Sequence, residues 1–191
     1  CKFCKLCYPN LMSDENLIWT ELKREELFKT PVYMVMQTTS RGPDGQEGNY
    51  IVTEAPDWVI VIPEFEDSFL MVKQWRHGER SLSIEFPGGV AEKDENFEEA
   101  ARRELREETG AEAGKMTLLG VFNPNPALFS NHVHVYLAQD LTLGGSQNLD
   151  KDEFVNFMKI KKQEAYALLG TKQAPHALML SALALYLVKN L

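Results

Sequence analysis

The chain has 191 residues, a length that suits one domain with room for a sizeable core. Its 44% hydrophobic and 25% charged content is that of an ordinary soluble globular protein. A net charge of −8, a pI of about 5.1 and the lack of a basic cluster argue against a nucleic-acid partner, because a duplex binder needs a basic footprint. The most apolar run, Ala177 to Val188, falls short of the roughly 20 residues a membrane span needs. It reads instead as a buried C-terminal helix, with no membrane partner. No charged-then-apolar leader opens the chain, so a cytoplasmic protein is expected.

Cys1, Cys4 and Cys7 are the only cysteines, spaced C-x2-C-x2-C. A zinc knuckle normally needs a fourth ligand, and His77, His132, His134 and His176 are all distant in sequence. Residues 1–11 are therefore expected to be a flexible or non-native extension, with a metal site as the alternative. Residues 12–54 are expected to form an N-terminal β region and residues 55–191 the main domain. Trp19, Leu22 and Leu27 belong to a polar-apolar lead-in. Val32 to Thr39 and Tyr50 to Thr53 read as strands of a hairpin closed by the turn residues Arg41 to Gly45. Trp58 to Pro63 is nearly all apolar, as in a central strand, and Phe69 to Trp75 should pair with it across the acidic turn Glu64 to Asp67.

Ser81 to Phe86 leads into Pro87-Gly88-Gly89, where glycine lets backbone approach a ligand. A helix should follow. Asn96 is a good N-cap and Glu99 completes a capping box. Phe97, Ala100, Ala101 and Leu105 form its apolar stripe, and Gly110 is a natural stop. Glu98–Arg102 and Glu99–Arg103 have the favourable i, i+4 order. Beyond the helix, strands are expected at Met116 to Phe122, His132 to Ala138 and Phe154 to Ile160. Helices are expected at Lys162 to Leu169 and His176 to Asn190. This mixture indicates an α+β fold or a layered sandwich.

Glu104, Glu107 and Glu108 stand at i, i+3 and i+4 in the last turns of the helix that begins after Asn96, so they project from one face. A helix C-terminus carries partial negative charge and disfavours carboxylates, so a cation should compensate. A hard divalent metal with oxygen ligands suits three glutamates.

The stretch resembles the Nudix box, G-x5-E-x7-R-E-U-x-E-E-x-G-U with U apolar. Gly89, Glu95, Arg103, Glu104, Leu105, Glu107, Glu108, Gly110 and Ala111 match its fixed positions. The resemblance implies a Nudix-type α/β/α sandwich with a mixed sheet behind an N-terminal β extension. It also implies hydrolysis of a nucleoside diphosphate linked to another group, with Mg²⁺ or Mn²⁺ as cofactor. Glu104 and Glu108 would be the principal metal ligands, Glu107 a further or water-mediated one, and Gly88 a carbonyl ligand. Arg103 would orient the carboxylates, with Glu95 as its partner. The general base would come from the loop before the last strand, where Asp150, Asp152 and Glu153 are available and Glu153 is preferred.

Gln74-Trp75-Arg76, Glu85-Phe86-Pro87-Gly88-Gly89 and Pro126 resemble the ADP-ribose and nucleoside-diphosphate-sugar pyrophosphatase branch. On that resemblance Arg76, Glu85 and Pro126 are substrate-binding candidates and a nucleotide sugar is the substrate. A guanidinium fork fits diphosphate oxygens, although Arg76 could equally close an ion pair and Glu85 be a satisfied strand-end carboxylate. Trp19, Phe28 and Tyr50 could stack on a base or merely pack. The alternatives are another Nudix substrate (GDP-mannose, a dinucleoside polyphosphate, an oxidised nucleotide) or a silent nucleotide-binding regulator. The N-terminal strands exceed what such a core requires, and Val32, Met34 and Met36 need covering, so a homodimer is expected.

Overall fold

The computed structural model describes residues 14–151 and 153–189. The three cysteines, the 1–11 extension and Asp152 lie outside the described residues. The chain divides into two compact units. One runs through Ala55 and takes in Asn125–Ser130; the other holds Pro56–Pro124 and continues from Asn131.

The first unit is a three-stranded antiparallel sheet in the order β1 (Thr20–Lys29), β2 (Met34–Arg41), β3 (Glu47–Glu54). The β2–β3 hairpin agrees with the sequence reading and turns at Gly45, whose φ of 85° favours glycine. β1 lies within the expected N-terminal β region, although its residues read as a lead-in and not as a strand of their own. Its sequence, TELKREELFK, lacks polar-apolar alternation, and every residue of it is exposed. It is a strand because β2 supplies its backbone partners, over a ladder with two register shifts. Trp19 and Tyr50 pack edge to face, with centroids 5.5 Å apart.

The second unit is built on a seven-stranded mixed sheet. Its strands are β4 (Trp58–Phe65), β5 (Ser68–Arg76), β6 (Ser81–Glu85), β7 (Gly88–Val90), β8 (Glu112–Phe122), β9 (Val133–Thr142) and β10 (Val155–Lys161). The main path is β10-β5-β4-β9-β8, with β6 on β5 and β7 on β4. β4 and β9 are parallel; the other pairs are antiparallel. The expected loop at Gly88–Gly89 is thus a short strand, and β4 needs no alternation because both its faces are covered. Ile60 and Ile62 join Val133, Val135 and Leu137 in one cluster, packed on α2 (Lys162–Leu168) and α3 (Ala177–Lys189). Val59 and Val61 join Tyr136 and Ala138 in another, packed on α1 (Phe97–Thr109). The α/β/α sandwich expected from the sequence is present.

A carboxylate closes the far side. Glu64, at the end of β4, accepts hydrogen bonds from Lys162 Nζ, Tyr186 Oη at 2.7 Å and Gln139 Nε2 at 2.6 Å. Burial raises its pKa, but these three donors outweigh that and hold it below the ordinary value. One side chain thus joins β4, β9, α2 and α3. The expectation of a buried C-terminal helix needs correction: Met179, Ala182, Leu183 and Tyr186 are buried, whereas Leu180, Leu187 and Val188 are exposed, the last at 68%. Only one stripe of α3 meets the sheet. Among the described residues no helix is long and apolar enough to cross a membrane.

Leu105, fully buried between α1 and the sheet, is the test of the second cluster. Leu105→Ala should lower stability by about 2–5 kcal/mol, since the rigid strands beneath can collapse only partly into the cavity. Urea denaturation with an unchanged m-value would check this; a loss below about 1 kcal/mol would mean that the helix is loosely seated.

Candidate active site

Helix α1 starts where the sequence predicts. Asn96 Oδ1 accepts from the N–H groups of Glu98 and Glu99, at 2.9 and 3.4 Å. The reciprocal half of a capping box, from Glu99 back to Asn96, is absent among the described residues, and Glu99 is exposed. The helix ends at Gly110, which is left-handed at φ 69° and donates to Arg106 O. Its last carbonyls are covered by the loop before β10. Asn148 N–H donates to Glu107 O at 2.9 Å, Gln147 Nε2 to Glu108 O at 2.6 Å, and Gly145 N–H to Gly110 O at 3.1 Å. No local sequence signal marks these bonds, because they join segments some forty residues apart.

Arg103 is the hub of the acidic face. Its Nε and Nη2 clamp Glu95, both at 2.9 Å, and Nη1 reaches Glu104 at 2.8 Å and Glu107 at 3.1 Å. The expected Glu99–Arg103 pair is therefore not formed: Arg103 turns the other way, where three carboxylates bind it. Glu98–Arg102 does form, at 2.9 Å. The Glu95 fork, followed by the Glu104 and Glu107 contacts, raises the Arg103 pKa against the effect of burial.

Glu104 is 9% exposed and Glu108 4%. Glu108 accepts one N–H, from Gly88, at 2.9 Å. Burial dominates its titration, the Gly88 N–H opposes, and the charges of Glu104 and Glu153 add to burial, so its pKa is pushed up to about 8. Burial also raises Glu104, against Arg103. Gly89 leaves room for Glu104: a Cβ there would stand 2.6 Å from its Oε1. A Cβ on Gly88 would meet Val59 O at 2.2 Å, so the β7 backbone lies directly on β4.

Buried, under-compensated carboxylates beside a glycine cradle fit a hard divalent cation in donor chemistry. Among the described residues, no three His, Cys, Asp or Glu side chains already enclose a metal position. Arg103 Nη1 supplies the positive charge between Glu104 and Glu107 instead.

On the adjoining strands Arg76 and Glu85 form a bidentate pair, Nε–Oε1 2.8 Å and Nη2–Oε2 2.6 Å. Glu85 is fully buried; burial would raise its pKa, but the Arg76 fork holds it below the ordinary value. Arg76 still has its Nη1 donors for another anion. Glu153 is exposed, accepts from Asp150 N–H at 3.2 Å, and lies near enough for its charge to act on Arg76, Glu104 and Glu108. Arg76, Glu85, Gly88, Arg103, Glu104, Glu107, Glu108 and Glu153 all belong to the second unit, whereas Pro126 is exposed in the 125–130 segment of the first. Sequence reasoning missed His176, which lines a cavity of about 300 Å³ with Arg76, Gly88 and Gly89. A lone histidine at a helix start gives no such signal.

Comparison with known proteins accords with this geometry. A NUDIX domain model matches residues 54–182. ADP-ribose pyrophosphatase of Bacillus subtilis (strain 168) is 32% identical over 154 residues, which is 80% of this chain and 83% of that protein. The methanol dehydrogenase activator of Bacillus methanolicus is 31% identical with the same coverage. A crystal structure of an ADP compounds hydrolase superposes with a TM-score of 0.78 at 25% identity, covering 90% of this chain and 92% of the other. The chain therefore belongs to the Nudix family, as a pyrophosphohydrolase.

The raised Glu108 makes a pH prediction for the metal-free protein. Its folded pKa of about 8 lies above the ordinary 4.5, so its stabilising contribution is complete below about 4.5 and is lost as pH rises through about 8. Glu108→Gln removes that dependence. In chelator, the variant should gain melting temperature on the wild type across this window, relieving the helix-end conflict as well. Parallel melting curves from about pH 5 to about pH 9 would show that Glu108 titrates normally.

Proposed function

We propose that this protein hydrolyses the pyrophosphate bond of ADP-ribose or a related nucleoside diphosphate sugar, giving a nucleoside monophosphate and a sugar phosphate, with Mg²⁺ or Mn²⁺. The observation that carries this is the juxtaposition, in one unit, of the buried Glu104 and Glu108 with a half-exposed arginine fork across the Gly88–Gly89 strand. The two relatives are almost equally similar and are described by different activities, so similarity alone does not choose the substrate.

Glu104, Glu108 and the Gly88 carbonyl would hold the cation, with Glu107 as a further ligand. A divalent cation there supplies the positive charge a diphosphate needs before water attacks phosphorus. Arg103, tied to Glu95, sets the orientation of Glu104 and Glu107. Arg76 uses its remaining donors on the diphosphate, while Glu85 fixes its plane. Glu153 takes the proton as water attacks one phosphorus and the bridging P–O bond breaks. The protein works as a homodimer, a reading supported by the exposed Leu27, Phe28 and Val32 of the first unit.

Formation of nucleoside monophosphate and sugar phosphate from a panel of nucleoside diphosphate sugars and nucleoside triphosphates, with and without Mg²⁺, tests the reading. ADP-ribose should be turned over only with metal, and Glu108→Gln should lose at least about 10²-fold in kcat. Preference for nucleoside triphosphates, or full activity in chelator, would defeat it.

Arg76→Ala would orphan a buried carboxylate, at about 3–5 kcal/mol. Arg76→Lys is the better probe, because it keeps a counter-charge for Glu85 while losing the fork. KM for ADP-ribose should rise about tenfold with kcat largely kept. Light scattering that shows a monomer at micromolar concentration would remove the dimer.

A further inference from the structure

His176 belongs to no part of the machinery described above. It immediately precedes α3, and its Nδ1 accepts the Leu178 N–H at 3.3 Å, so the ring caps the helix. An Nδ1 that accepts cannot carry a proton, which leaves the neutral ring with its hydrogen on Nε2. Burial, reinforced by Arg76, holds the pKa below the ordinary value despite Glu85, keeping the ring in that neutral form. Nε2 makes no hydrogen bond among the described residues.

The ring stands between two cavities. The first, about 300 Å³, has Trp58, Gly88, Gly89 and Met179 in its wall; the second, about 290 Å³, has Gly78 and Ser83. Arg76 and His176 line both. Ser83 is fully buried, and its Oγ lies close enough to Glu85 to favour the carboxylate, yet makes no hydrogen bond of normal geometry. A buried hydroxyl without a partner costs free energy unless something else meets it. The two cavities thus share Arg76 and His176 in their walls, with the buried Ser83 in the wall of the second. A substrate with a diphosphate between two bulky arms has that shape: charge at the centre and a group on each side.

We propose that His176 is a substrate-positioning residue that donates its Nε2 hydrogen to a diphosphate oxygen held beside Arg76, with the substrate's two arms in the flanking cavities. This rests on the reading of the substrate as a nucleoside diphosphate sugar. A neutral donor suits the place, since it adds a hydrogen bond without a second positive charge against Arg76.

The capping and positioning roles separate by substitution. His176→Asn keeps an acceptor where Nδ1 stands and is a favoured N-cap, but its amide stops short of the Nε2 position. His176→Gln carries an amide N–H out to about that position and gives up the cap. Steady-state kinetics with ADP-ribose and thermal melts are measured on the wild type and both variants. The Asn variant should melt with the wild type and show KM raised about tenfold at nearly constant kcat, as for one lost hydrogen bond to a charged oxygen. The Gln variant should melt lower and keep KM within about threefold. An unchanged KM in the Asn variant overturns the proposal and leaves His176 a cap. If the wild type does not turn over ADP-ribose, the substrate reading fails by itself, and the same two variants on the best substrate of the panel still decide the role of His176.

Discussion

Glu108 is a carboxylate at the negative end of a helix, almost removed from water and given a single N–H to accept. Each of those conditions works against its charge. The rest of the site is arranged around keeping it there. Ala100, Ala101 and Leu105 seat α1 on the sheet, which buries the carboxylate. The β7 backbone, lying on β4, aims the Gly88 N–H at it, and the loop before β10 covers the helix end that would otherwise take up water. Arg103 shares one positive charge among Glu95, Glu104 and Glu107 and does not extend to Glu108. The most buried of the acidic trio is thus the one without a direct cation, as expected of a group whose partner arrives with the substrate or from solution.

What the sequence disclosed follows the range of the interactions. Asn96 and Gly110 act through residues within one turn, so both helix ends are readable. The apolar run of β4 announces a strand covered on two sides, and the parity of Val133, Val135 and Leu137 separates the two faces of β9. Failures also occur at short range, where composition misleads or several partners compete. β1 is composed like a surface helix and becomes a strand because β2 pairs with it. Arg103 had a favourably ordered partner in Glu99 and takes Glu95, Glu104 and Glu107 instead, all within eight residues of it. The single buried stripe of α3 is invisible in a run where nearly every residue is apolar.

On the proposed reading, the Arg76–Glu85 pair would tie recognition to stability. Glu85 is inside the domain and depends on Arg76 for its charge, while Arg76 is partly open to solvent and depends on Glu85 for its plane. A guanidinium fixed before a ligand arrives loses less freedom on binding than a loose one. The same economy limits change: the position cannot be retuned for another phosphate group without disturbing a buried carboxylate.

The Glu64 junction bears on the order in which the domain forms. Its donors come from Gln139, Lys162 and Tyr186, so one carboxylate on β4 waits for segments from about 75 to 122 residues further along. The β4–β9 pairing beside it is also long-range and parallel. Local turns and α1 can appear early, but β4 stays without its parallel neighbour until β9 is made, and Glu64 without its last donor until α3 docks. Such a topology folds slowly and late. While the chain is being made, β4 is an apolar strand with its β9 edge open, the kind of species prone to mispairing. Its turn toward β5, Glu64 to Asp67, carries a run of acidic side chains, and charge at a strand end is the means by which chains discourage that mispairing.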